Sequence, residues 1–544
     1  MRVNLEIPQG KRTKLYRFFE ILPGVISYSA VILLFVLSVL DPVLGAIYLF
    51  IIIASTLVKA VGVAYRTVQG YEVVKRAGLV DWRKRMMDLA NPHEAYERLR
   101  DADNDSYHFE EHLDNLKLIA TMGKEYPDPD KIYHVVIVAA YNEGIEVLDP
   151  SITAIKDSTF PSDRIIVALA YEARGGEAMR LVANELHAKY KNTFKDFILV
   201  EHPDNLPGEV VGKGPNLTYA GEKVAEYVRN KHIPIENVII TSLDSDNRMA
   251  PKYLDSVAYE FITHPNRQRL SYQPVSLFMN NIWDAPAPSR VIAISNSFFN
   301  IISTMRPHSL RNFASHSQPL QALEAMHFWS KRTIVEDGHQ YWRSLFFFNG
   351  DYSVLPIRIP IYQDALVDEN FFKTVKAQFV QVRRWYYGAS DVAYVGVRLF
   401  APKDKRPVPF WQLFPKFIRL LDGHITLAIM APLVSFGGWV PMLMNFSSHT
   451  MVGYNLPNIV SWVETFAMIG LVATVFVSFR MLPKRPTRYR KSRNISMLLQ
   501  WVLMPVTSIF YQSIAAYYSQ TRLMLGLYME KFDVTKKVIK SNPK

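Results

Sequence analysis

The sequence predicts an α/β domain with a mostly parallel sheet, placed between helical regions that cross a membrane. Three observations lead to this expectation. Short β-branched runs alternate with segments of helical period between about residues 132 and 360. Runs without charge, long enough to span a bilayer, lie near both ends of the 544-residue chain. The lysines and arginines that give the chain a formal charge of +12 are concentrated beside these runs.

The apolar runs predict two spans near the N-terminus and about three near the C-terminus. Residues 22–40 carry no charge, and a second uncharged run follows the turn at Asp41-Pro42. Further runs lie at 425–446, at 459–479, where Glu464 is the single charged residue, and at 495–520. A transmembrane helix needs roughly 20 apolar residues, so the first two runs are expected to form a hairpin. Pro505 leaves two possibilities for the last run, a full crossing or a segment that turns back.

The placement of positive charge predicts which side of the membrane each region faces. Basic residues precede the first run and follow the second, and the loop from Arg480 reads RMLPKRPTRYRKSR, whereas residues 441–458 contain no lysine or arginine. Cytosolic loops are enriched in these residues. We therefore expect a multi-pass protein of the plasma membrane, in contact with the lipid bilayer, with its central domain in the cytosol. Nucleic-acid binding is not expected, because the basic residues follow the membrane edges.

Polar side chains follow three of the predicted strands at the point where each strand ends. The runs YHVVIVAAY, RIIVALAY and ENVIITSLD read as strands, and after them come Asn142 and Glu143, then Glu172, then Asp244 and Asp246. In open parallel sheets, ligands bind beyond the carboxyl ends of the strands. Acids that meet at one edge are costly unless a cation or a donor-rich ligand compensates them. The pattern predicts a binding site, and the lack of cysteine excludes a thiolate one.

The pair Asp244 and Asp246 in LDSDN has two interpretations. Alone, such a pair is typical of a turn, because aspartate side chains satisfy nearby backbone groups. At the end of an apolar strand, the same pair suits a divalent cation. Further along the chain, VED at 335–337 supplies a second acid pair, and QVRRW at 381–385 supplies a basic and aromatic cluster. These two segments favour the metal interpretation.

In this order, the motifs resemble those of the membrane-integrated glycosyltransferases of family 2, the group that contains cellulose and hyaluronan synthases. VVIVAAYNEG is similar to the first strand of that family, GKGPNLTYA to its glycine–lysine–asparagine segment, and LDSDN to its D-x-D motif. VED resembles the T-E-D motif, and QVRRW matches Q-x-x-R-W in full. The resemblance covers residues 130–395 well, and it implies a GT-A fold for the α/β domain.

The expected organisation has seven parts. In chain order they are a cytosolic segment (1–20), a transmembrane hairpin (21–65), a cytosolic helical linker (66–130), the GT-A domain (131–365), amphipathic interface helices that include QVRRW (366–422), a C-terminal transmembrane region of about three segments (423–520) and a basic tail (521–544). Within the interface region, residues 410–421 are expected to form a second interfacial helix.

The resemblance implies roles for the acids. Asp246 is the expected ligand of Mg²⁺ or Mn²⁺, and Asp244 is expected to contact the ribose or to support the same ion. Asp337, with Glu336 beside it, is the expected base that takes the proton of the acceptor hydroxyl. The alternative for Asp337 is a helix cap.

The QVRRW segment is expected to be helical, with Gln381, Arg384 and Trp385 on one face. Arg384 offers donors to a departing pyrophosphate, and Trp385 offers a stacking surface to an acceptor sugar. The other expected donor-binding residues are Asn142, Glu143, Glu172, Lys213, Asp244 and Gln381. The alternatives are an amphipathic helix that lies on the membrane and, for Lys213, a solvated lysine.

The predicted function is inverting transfer of a sugar from a nucleotide-diphosphate sugar, with a UDP-sugar favoured, by a membrane-embedded, metal-dependent enzyme. The full match to Q-x-x-R-W favours a processive polysaccharide synthase with a glycan acceptor. One alternative is a single addition to a lipid-linked acceptor. Another is a non-catalytic subunit that binds a nucleotide sugar, which ranks lower because Asp246 and Asp337 are both present.

Overall fold

Eight strands form one mixed sheet in the computed structural model, which describes residues 4–102, 104–445 and 451–531. The strands are β1 (Tyr133–Ala140), β2 (Ile165–Glu172), β3 (Asp196–His202), β4 (Val238–Asp244), β5 (Arg248–Met249), β6 (Leu270–Leu277), β7 (His316–Pro319) and β8 (Ser353–Tyr362). Their spatial order is β3-β2-β1-β4-β7-β6-β8-β5. The neighbours from β3 to β4 are all parallel. The predicted α/β domain with a mostly parallel sheet is confirmed.

The direction of β7 determines which strand ends meet. β7 lies between β4 and β6 and is antiparallel to both, and β8 is parallel to β6. Two reversals restore the original direction, so β6 and β8 run the same way as β1 and β4. The carboxyl ends of β1, β2, β4, β6 and β8 therefore lie at one edge of the sheet.

Helices cover both faces of the parallel part of the sheet. Five helices precede the sheet: α1 (Lys14–Leu40), α2 (Pro42–Leu79), α3 (Trp82–Asp88), α4 (Pro92–Leu99) and α5 (Phe109–Met122). The helices of the domain are α6 (Ile145–Lys156), α7 (Gly176–Tyr190), α8 (Lys213–Asn230), α9 (Tyr253–Thr263), α10 (Ala287–Thr304), α11 (Leu320–Ala325) and α12 (Glu336–Phe347). Alternate residues of β1 enter different cores, because successive side chains of a strand point to opposite faces. Val136 and Val138 pack with α6, α7 and α9, whereas Val135 and Ile137 pack with α8 and α11.

Helices α1 and α2 form the expected N-terminal hairpin. The turn between them is Asp41, whose side chain accepts a hydrogen bond from the Val43 N–H at 2.7 Å and so caps α2. Pro42 occupies the first turn of α2, where its missing N–H costs nothing. Asp41 and Pro42 therefore allow this sharp reversal of the chain to be predicted from the sequence.

The remaining helices follow the sheet. They are α13 (Phe371–Tyr386), α14 (Asp391–Leu399), α15 (Phe410–Phe436), α16 (Val440–Met444), α17 (Met451–Met481), α18 (Arg493–Leu499), α19 (Met504–Thr507) and α20 (Ile514–Leu525). Within the described ranges, four helical stretches are long and apolar enough to cross a membrane: Lys14–Leu40, Pro42–Leu79, Phe410–Met444 and Arg493–Leu525. The expected basic tail lies for the most part outside the described residues, which end at 531.

The expected separate helix at 410–421 is the beginning of α15, which continues to Phe436 without a break. Leu413, Phe417 and Leu420 lie on one stripe of this helix and pack into the same core as Trp342 of α12. Because this apolar stripe continues beyond residue 421 into the uncharged segment, the helix has no reason to end there.

Candidate functional site

A cavity of about 500 Å³ opens at the edge of the sheet where the carboxyl ends of the parallel strands meet. Ten of the eleven predicted site residues line it: Glu143, Glu172, Lys213, Asp244, Asp246, Glu336, Asp337, Gln381, Arg384 and Trp385. Asn142 does not, and its backbone N–H donates to the carboxylate of Glu143 at 3.2 Å. The fold thus brings the LDSDN, VED and QVRRW segments to one cavity, although they are far apart in the sequence.

Lys213 and Asp244 form an ion pair inside this cavity. Asp244 is the last residue of β4 and Lys213 the first of α8, and the lysine Nζ lies 2.5 Å from the aspartate Oδ1. Burial lowers the pKa of Lys213, but the carboxylates of Asp244 and Glu336 outweigh burial and hold it above its usual value. Lys213 is therefore a paired cation in the cavity wall, with 12% of its side chain exposed, and not a freely solvated lysine.

Asp246 lies deeper than Asp244, with 8% of its surface exposed. Its Oδ2 accepts a hydrogen bond from the Asp364 N–H at 3.4 Å, and its carbonyl accepts one from the Asn280 side chain at 3.2 Å. Asp364 also lines the cavity. The acid pair of LDSDN is thus held between the ends of β4 and β8.

These acids suit a divalent cation that is shared with a ligand. Over the ranges that the structure describes, no group of three or more histidine, aspartate or glutamate side chains forms a complete metal cage. Mg²⁺ binds through one or two protein carboxylates together with phosphate oxygens. Asp244 and Asp246, which line the same cavity, fit that mode.

The acids of VED begin α12, and Val335 occupies the cap position before them. Asp337 accepts two backbone hydrogen bonds, one from the Ala314 N–H to Oδ2 and one from the Gly338 N–H to Oδ1, both at 2.7 Å. These bonds fix the carboxylate at the cavity wall. Asp337 thus also satisfies a backbone donor in the first turn of α12, as the helix-cap alternative expects, although Val335 occupies the cap position itself.

The adjacent residues Arg383 and Arg384 of helix α13 face different parts of the protein. Gln381, Arg384 and Trp385 line the cavity, as their shared helix face predicts. The Trp385 ring lies 6.3 Å from the ring of Phe278, which follows β6. Arg383 instead approaches the ring of Tyr518 in α20, with its guanidinium 5.1 Å from the ring centre. The helix thus joins the cavity to the C-terminal helices.

Residues 239–477 match the family model described as glycosyl transferase family group 2. The match covers just under half of the chain. The matched residues run from β4 through α13 into α17, so they include LDSDN, VED and QVRRW. The expected kinship with family 2 glycosyltransferases is confirmed.

Several solved glycosyltransferase structures resemble the chain at low identity. The mannosyltransferase PcManGT from Pyrobaculum calidifontis, in complex with GDP-Man and Mn²⁺, is 13% identical with a TM-score of 0.40, over 81% of this chain and 99% of that one. TarS from S. aureus is 13% identical with a TM-score of 0.29, over 60% and 55%. GalNAc-T7 with UDP, GalNAc and Mn²⁺ is 9% identical with a TM-score of 0.32, over 54% and 58%. No curated protein sequence matches the chain.

Glu172, which precedes the family 2 match, is already engaged by another side chain. The Arg174 Nε donates to its Oε2 at 2.7 Å, and the Arg174 guanidinium lies 4.7 Å from the ring centre of Tyr141. Burial raises the pKa of Glu172, and Arg174 opposes this shift. Glu172 therefore lines the cavity as part of an ion pair.

Sequence reasoning missed three charged aspartate and arginine residues that line the cavity. Asp364 follows the end of β8, so the rule that pointed to Asp244 could have found it. Asp391 begins α14 and lies 2.6 Å from the Nδ1 of the buried His339, and no sequence pattern marks it. Arg311 lies in the segment after α10, which has no periodicity to indicate where its side chain points.

Glu336 gives the family 2 region a pH-dependent stability. Burial, and then the charge of Asp337, raise the pKa of Glu336 to about 8, against the opposing charge of Lys213. The unfolded chain loses this proton near its ordinary pKa of 4.5. Between these values the folded state binds more protons, so stability falls as pH rises, by up to about 1.4 kcal/mol per pH unit.

We expect Glu336→Gln to remove this loss of stability. The free energy of unfolding of the variant, minus that of the wild type, should grow as pH rises from about 5 to 8 and stay constant above that range. Chemical unfolding at several pH values measures this difference. The matched control is Glu226→Gln, an exposed glutamate of α8, for which a flat difference is expected. A flat difference for Glu336→Gln would contradict the assignment.

Gly214 allows α8 to approach α12 closely. A Cβ at this position would lie 2.4 Å from the Ser330 carbonyl oxygen and 3.1 Å from the Glu336 Cβ. We expect Gly214→Ala to lower the free energy of unfolding by about 1–3 kcal/mol, because backbone must move to make room. Thermal unfolding in detergent measures the effect.

The control for Gly214→Ala is Gly78→Ala in α2, where a Cβ would meet no atom within 4 Å. This second substitution should leave stability unchanged or raise it by up to about 1 kcal/mol, since alanine favours a helix. Equal effects of the two substitutions would show that close packing at Gly214 is not the cause.

Proposed function

We propose that the protein is a membrane-embedded inverting glycosyltransferase that uses a nucleotide-diphosphate sugar, with a UDP-sugar favoured, on the cytosolic face of the plasma membrane. The observation that carries this proposal is the single cavity lined by the acids of LDSDN, by Asp337 and by Arg384 and Trp385. The match of residues 239–477 to the family 2 model supports the reaction class. The four apolar helical stretches support the membrane location.

The donor side of the proposed reaction uses the acids at the end of β4. Asp246, supported by Asp244, would hold Mg²⁺ or Mn²⁺, and this ion offsets negative charge on the pyrophosphate when it is bound. Lys213 and Arg384 face the same cavity and add positive charge where the leaving group develops its own. Because Lys213 is already paired with Asp244, a donor phosphate would share this lysine with the aspartate.

The acceptor side of the proposed reaction uses Asp337. Its carboxylate accepts the proton of the acceptor hydroxyl while the hydroxyl oxygen attacks the anomeric carbon from the face opposite the pyrophosphate, and this single displacement inverts the configuration. The two backbone hydrogen bonds to Asp337 support this role, because they hold the carboxylate in place before the reaction. Burial and the charge of Asp337 raise the pKa of Glu336 to about 8, which favours its protonated form near neutral pH, so the proposal assigns the base role to Asp337.

For the product, we propose a processive polysaccharide synthase with a growing glycan as the acceptor. The complete QVRRW match favours it, and Trp385 offers a surface on which an acceptor sugar stacks. The second candidate is a single addition to a lipid-linked acceptor. The helices α15 and α20 favour this candidate, because residues of the apolar stretches they belong to, His424 and Gln512, also line the cavity.

The experiment supplies the purified full-length protein in lipid with labelled UDP-, GDP- and dTDP-sugars, with Mg²⁺ or Mn²⁺. We expect turnover of one donor, release of the nucleoside diphosphate and a ladder of water-soluble glycans. A single lipid-soluble product would favour the second candidate. Absence of transfer from every donor, with intact donor binding, would instead favour the non-catalytic subunit. The control is the double variant Asp246→Asn/Asp337→Asn, which should be inactive with every donor.

A further inference from the structure

A side-chain amide without a hydrogen-bond partner lies in the wall of the cavity. Gln363 directly follows β8, lines the cavity and has 5% of its surface exposed. Among the buried asparagine and glutamine side chains of the described residues, it alone has an amide nitrogen that donates to no atom. Buried polar groups are almost always hydrogen-bonded, because they have given up their bonds to water. An amide left without a partner therefore has a cost that a ligand can remove.

The backbone of Gln363 is fixed by hydrogen bonds on both sides. Its N–H donates to the Leu277 carbonyl at 2.7 Å, and its own carbonyl accepts from the Asn280 N–H at 3.1 Å. The next residue, Asp364, donates its N–H to Asp246 at 3.4 Å. These bonds hold the turn after β8 between the end of β6 and the proposed metal ligand. A group that is held in place before a ligand arrives loses little freedom when the ligand binds.

The surroundings of Gln363 combine aromatic and polar groups. Phe278 follows the residue whose carbonyl Gln363 contacts, its ring lies 6.3 Å from that of Trp385, and both rings belong to residues that line the cavity. Ser276 lines the cavity as well, and its Oγ is also buried without a partner among the described residues. A sugar ring offers an apolar face to aromatic side chains and hydroxyl groups to polar ones. This part of the cavity therefore suits a sugar.

We propose that Gln363 binds a hydroxyl group of the sugar that is transferred, and that this bond contributes to the choice of donor. The inference rests on the proposed function, because that function places the diphosphate of the donor at the ion held by Asp246. The sugar is attached to this diphosphate, and Asp364 connects the neighbouring Gln363 to the same aspartate. A sugar bound beside the ion therefore lies against this wall of the cavity.

A hydroxyl group is a suitable partner for either end of the amide. A half-turn about the last side-chain bond exchanges the nitrogen and the oxygen of Gln363. The amide can thus donate to the ligand or accept from it, and a hydroxyl group does both. A donor that lacks this hydroxyl leaves the amide without a partner. Sites built to bond a hydroxyl discriminate strongly against analogues that lack it, so we expect Gln363 to act in donor selection.

The binding experiment uses Gln363→Met, which keeps the length of the side chain and removes the amide. Calorimetry on the full-length protein in nanodiscs, with Mn²⁺, compares UDP-glucose, UDP-N-acetylglucosamine and GDP-mannose with UDP and GDP. For the nucleotide sugar that the wild type binds most tightly, the variant should bind about three- to tenfold more weakly, the effect of one lost hydrogen bond. Its affinity for the nucleoside diphosphate should be unchanged, because the amide contacts only the sugar.

Monodeoxy analogues of that nucleotide sugar identify the hydroxyl group. One analogue should bind the wild type about three- to tenfold more weakly than the parent compound does. This difference should disappear in Gln363→Met, because the two changes remove the same bond. If every analogue loses as much affinity in the variant as in the wild type, Gln363 bonds no hydroxyl group of the transferred sugar, and the inference is overturned.

The matched control is Gln318→Met, the same substitution at another buried glutamine. Gln318 lies outside the cavity, and its Nε2 donates to the Tyr352 hydroxyl at 2.9 Å. Without ligand, Gln318→Met should lower the temperature of thermal unfolding, because it leaves a buried partner unpaired, whereas Gln363→Met should keep this temperature or raise it. The control should bind nucleotide sugars as the wild type does. A lower unfolding temperature for Gln363→Met would show that its amide is bonded without ligand, and the inference would fail.

Two further outcomes would assign Gln363 to another part of the substrates, and each would overturn the inference. Equal losses of affinity for the nucleotide sugar and the nucleoside diphosphate would place the amide at the nucleotide or at the ion. Unchanged donor affinity with a raised KM for the acceptor would place it at the acceptor. If the wild type transfers sugar and the variant binds the donor normally, only this inference fails. If the wild type binds no nucleotide sugar and no nucleoside diphosphate, the proposed function fails as well.

Discussion

Replacing Asp337 with asparagine is expected to lower kcat by about 10²–10⁴-fold, the contribution of a well-placed general base. Asparagine has nearly the same shape, and its side-chain oxygen can keep the bond from the Ala314 N–H, whereas its amide nitrogen cannot accept the Gly338 N–H. It also lacks the ability to take a proton. Single-turnover kinetics with a radiolabelled donor measures the loss, and the affinity for the donor, measured by calorimetry, should change by no more than about twofold.

The matched control for Asp337→Asn is Asp351→Asn, an exposed aspartate that pairs with Arg269 outside the cavity. The control should keep the wild-type kcat. If Asp337→Asn turned over at the wild-type rate, the proton acceptor would have to be another group. If it lost donor affinity to the same extent as kcat, Asp337 would be a binding residue.

The second large effect is expected for Asp246→Asn, which should lower kcat/KM by about 10²–10³-fold and weaken Mn²⁺ binding in the presence of a nucleoside diphosphate. Asparagine can still accept the Asp364 N–H, so the end of β4 should keep its geometry. A neutral oxygen, however, offsets far less of the charge of the cation. Titration of Mn²⁺ followed by electron paramagnetic resonance measures its affinity directly.

Asp244→Asn serves as the comparison for the metal site. Asp244 is already paired with Lys213. Its replacement therefore also allows the Lys213 ammonium group to approach the donor phosphates. We expect a smaller loss of Mn²⁺ affinity than for Asp246→Asn. The reverse order would make Asp244 the principal ligand and Asp246 its support. Unchanged Mn²⁺ affinity in both variants would exclude the pair as the metal site.

The strand ends were the part of the site that the sequence could predict. Apolar runs followed by acids indicate the carboxyl ends of parallel strands, and the cavity does collect Glu143, Glu172, Asp244 and Asp246. Asp364 also follows the end of a strand, but it reaches the cavity only because β8 runs in the same direction as β4. That direction follows from the insertion of β7 between β4 and β6, a tertiary pairing with no local signal.

The charge states of the site could not be predicted from the sequence. Glu336 and Asp337 are neighbours in the chain, yet burial raises the pKa of Glu336 to about 8, while Asp337 is held by backbone donors. Glu336 is buried where α12 packs closely against α8 at Gly214. Burial of this kind is set by contacts between distant segments.

In the membrane region, too, the sequence predicts some features and leaves others open. Apolar length and the turn at Asp41 were sufficient for the N-terminal hairpin. At Pro505 the sequence left two possibilities, and the chain remains helical there, with a 3₁₀ turn at Gln500–Leu503 before it and a π-helical segment at Ser508–Ser513 after it. These local changes in helix type allow the backbone groups around Pro505 to form hydrogen bonds. The sequence does not specify where such changes occur.

The close contact at Gly214 has a kinetic consequence. Lys213, the residue before this glycine, belongs to the proposed donor side, and the helix that Gly214 touches begins with Glu336 and Asp337 of the proposed acceptor side. With no side chain between them, the two helix ends have little freedom to move separately. If these residues act as proposed, the two halves of the site have the same spacing before either substrate arrives. We therefore expect donor and acceptor to bind in either order.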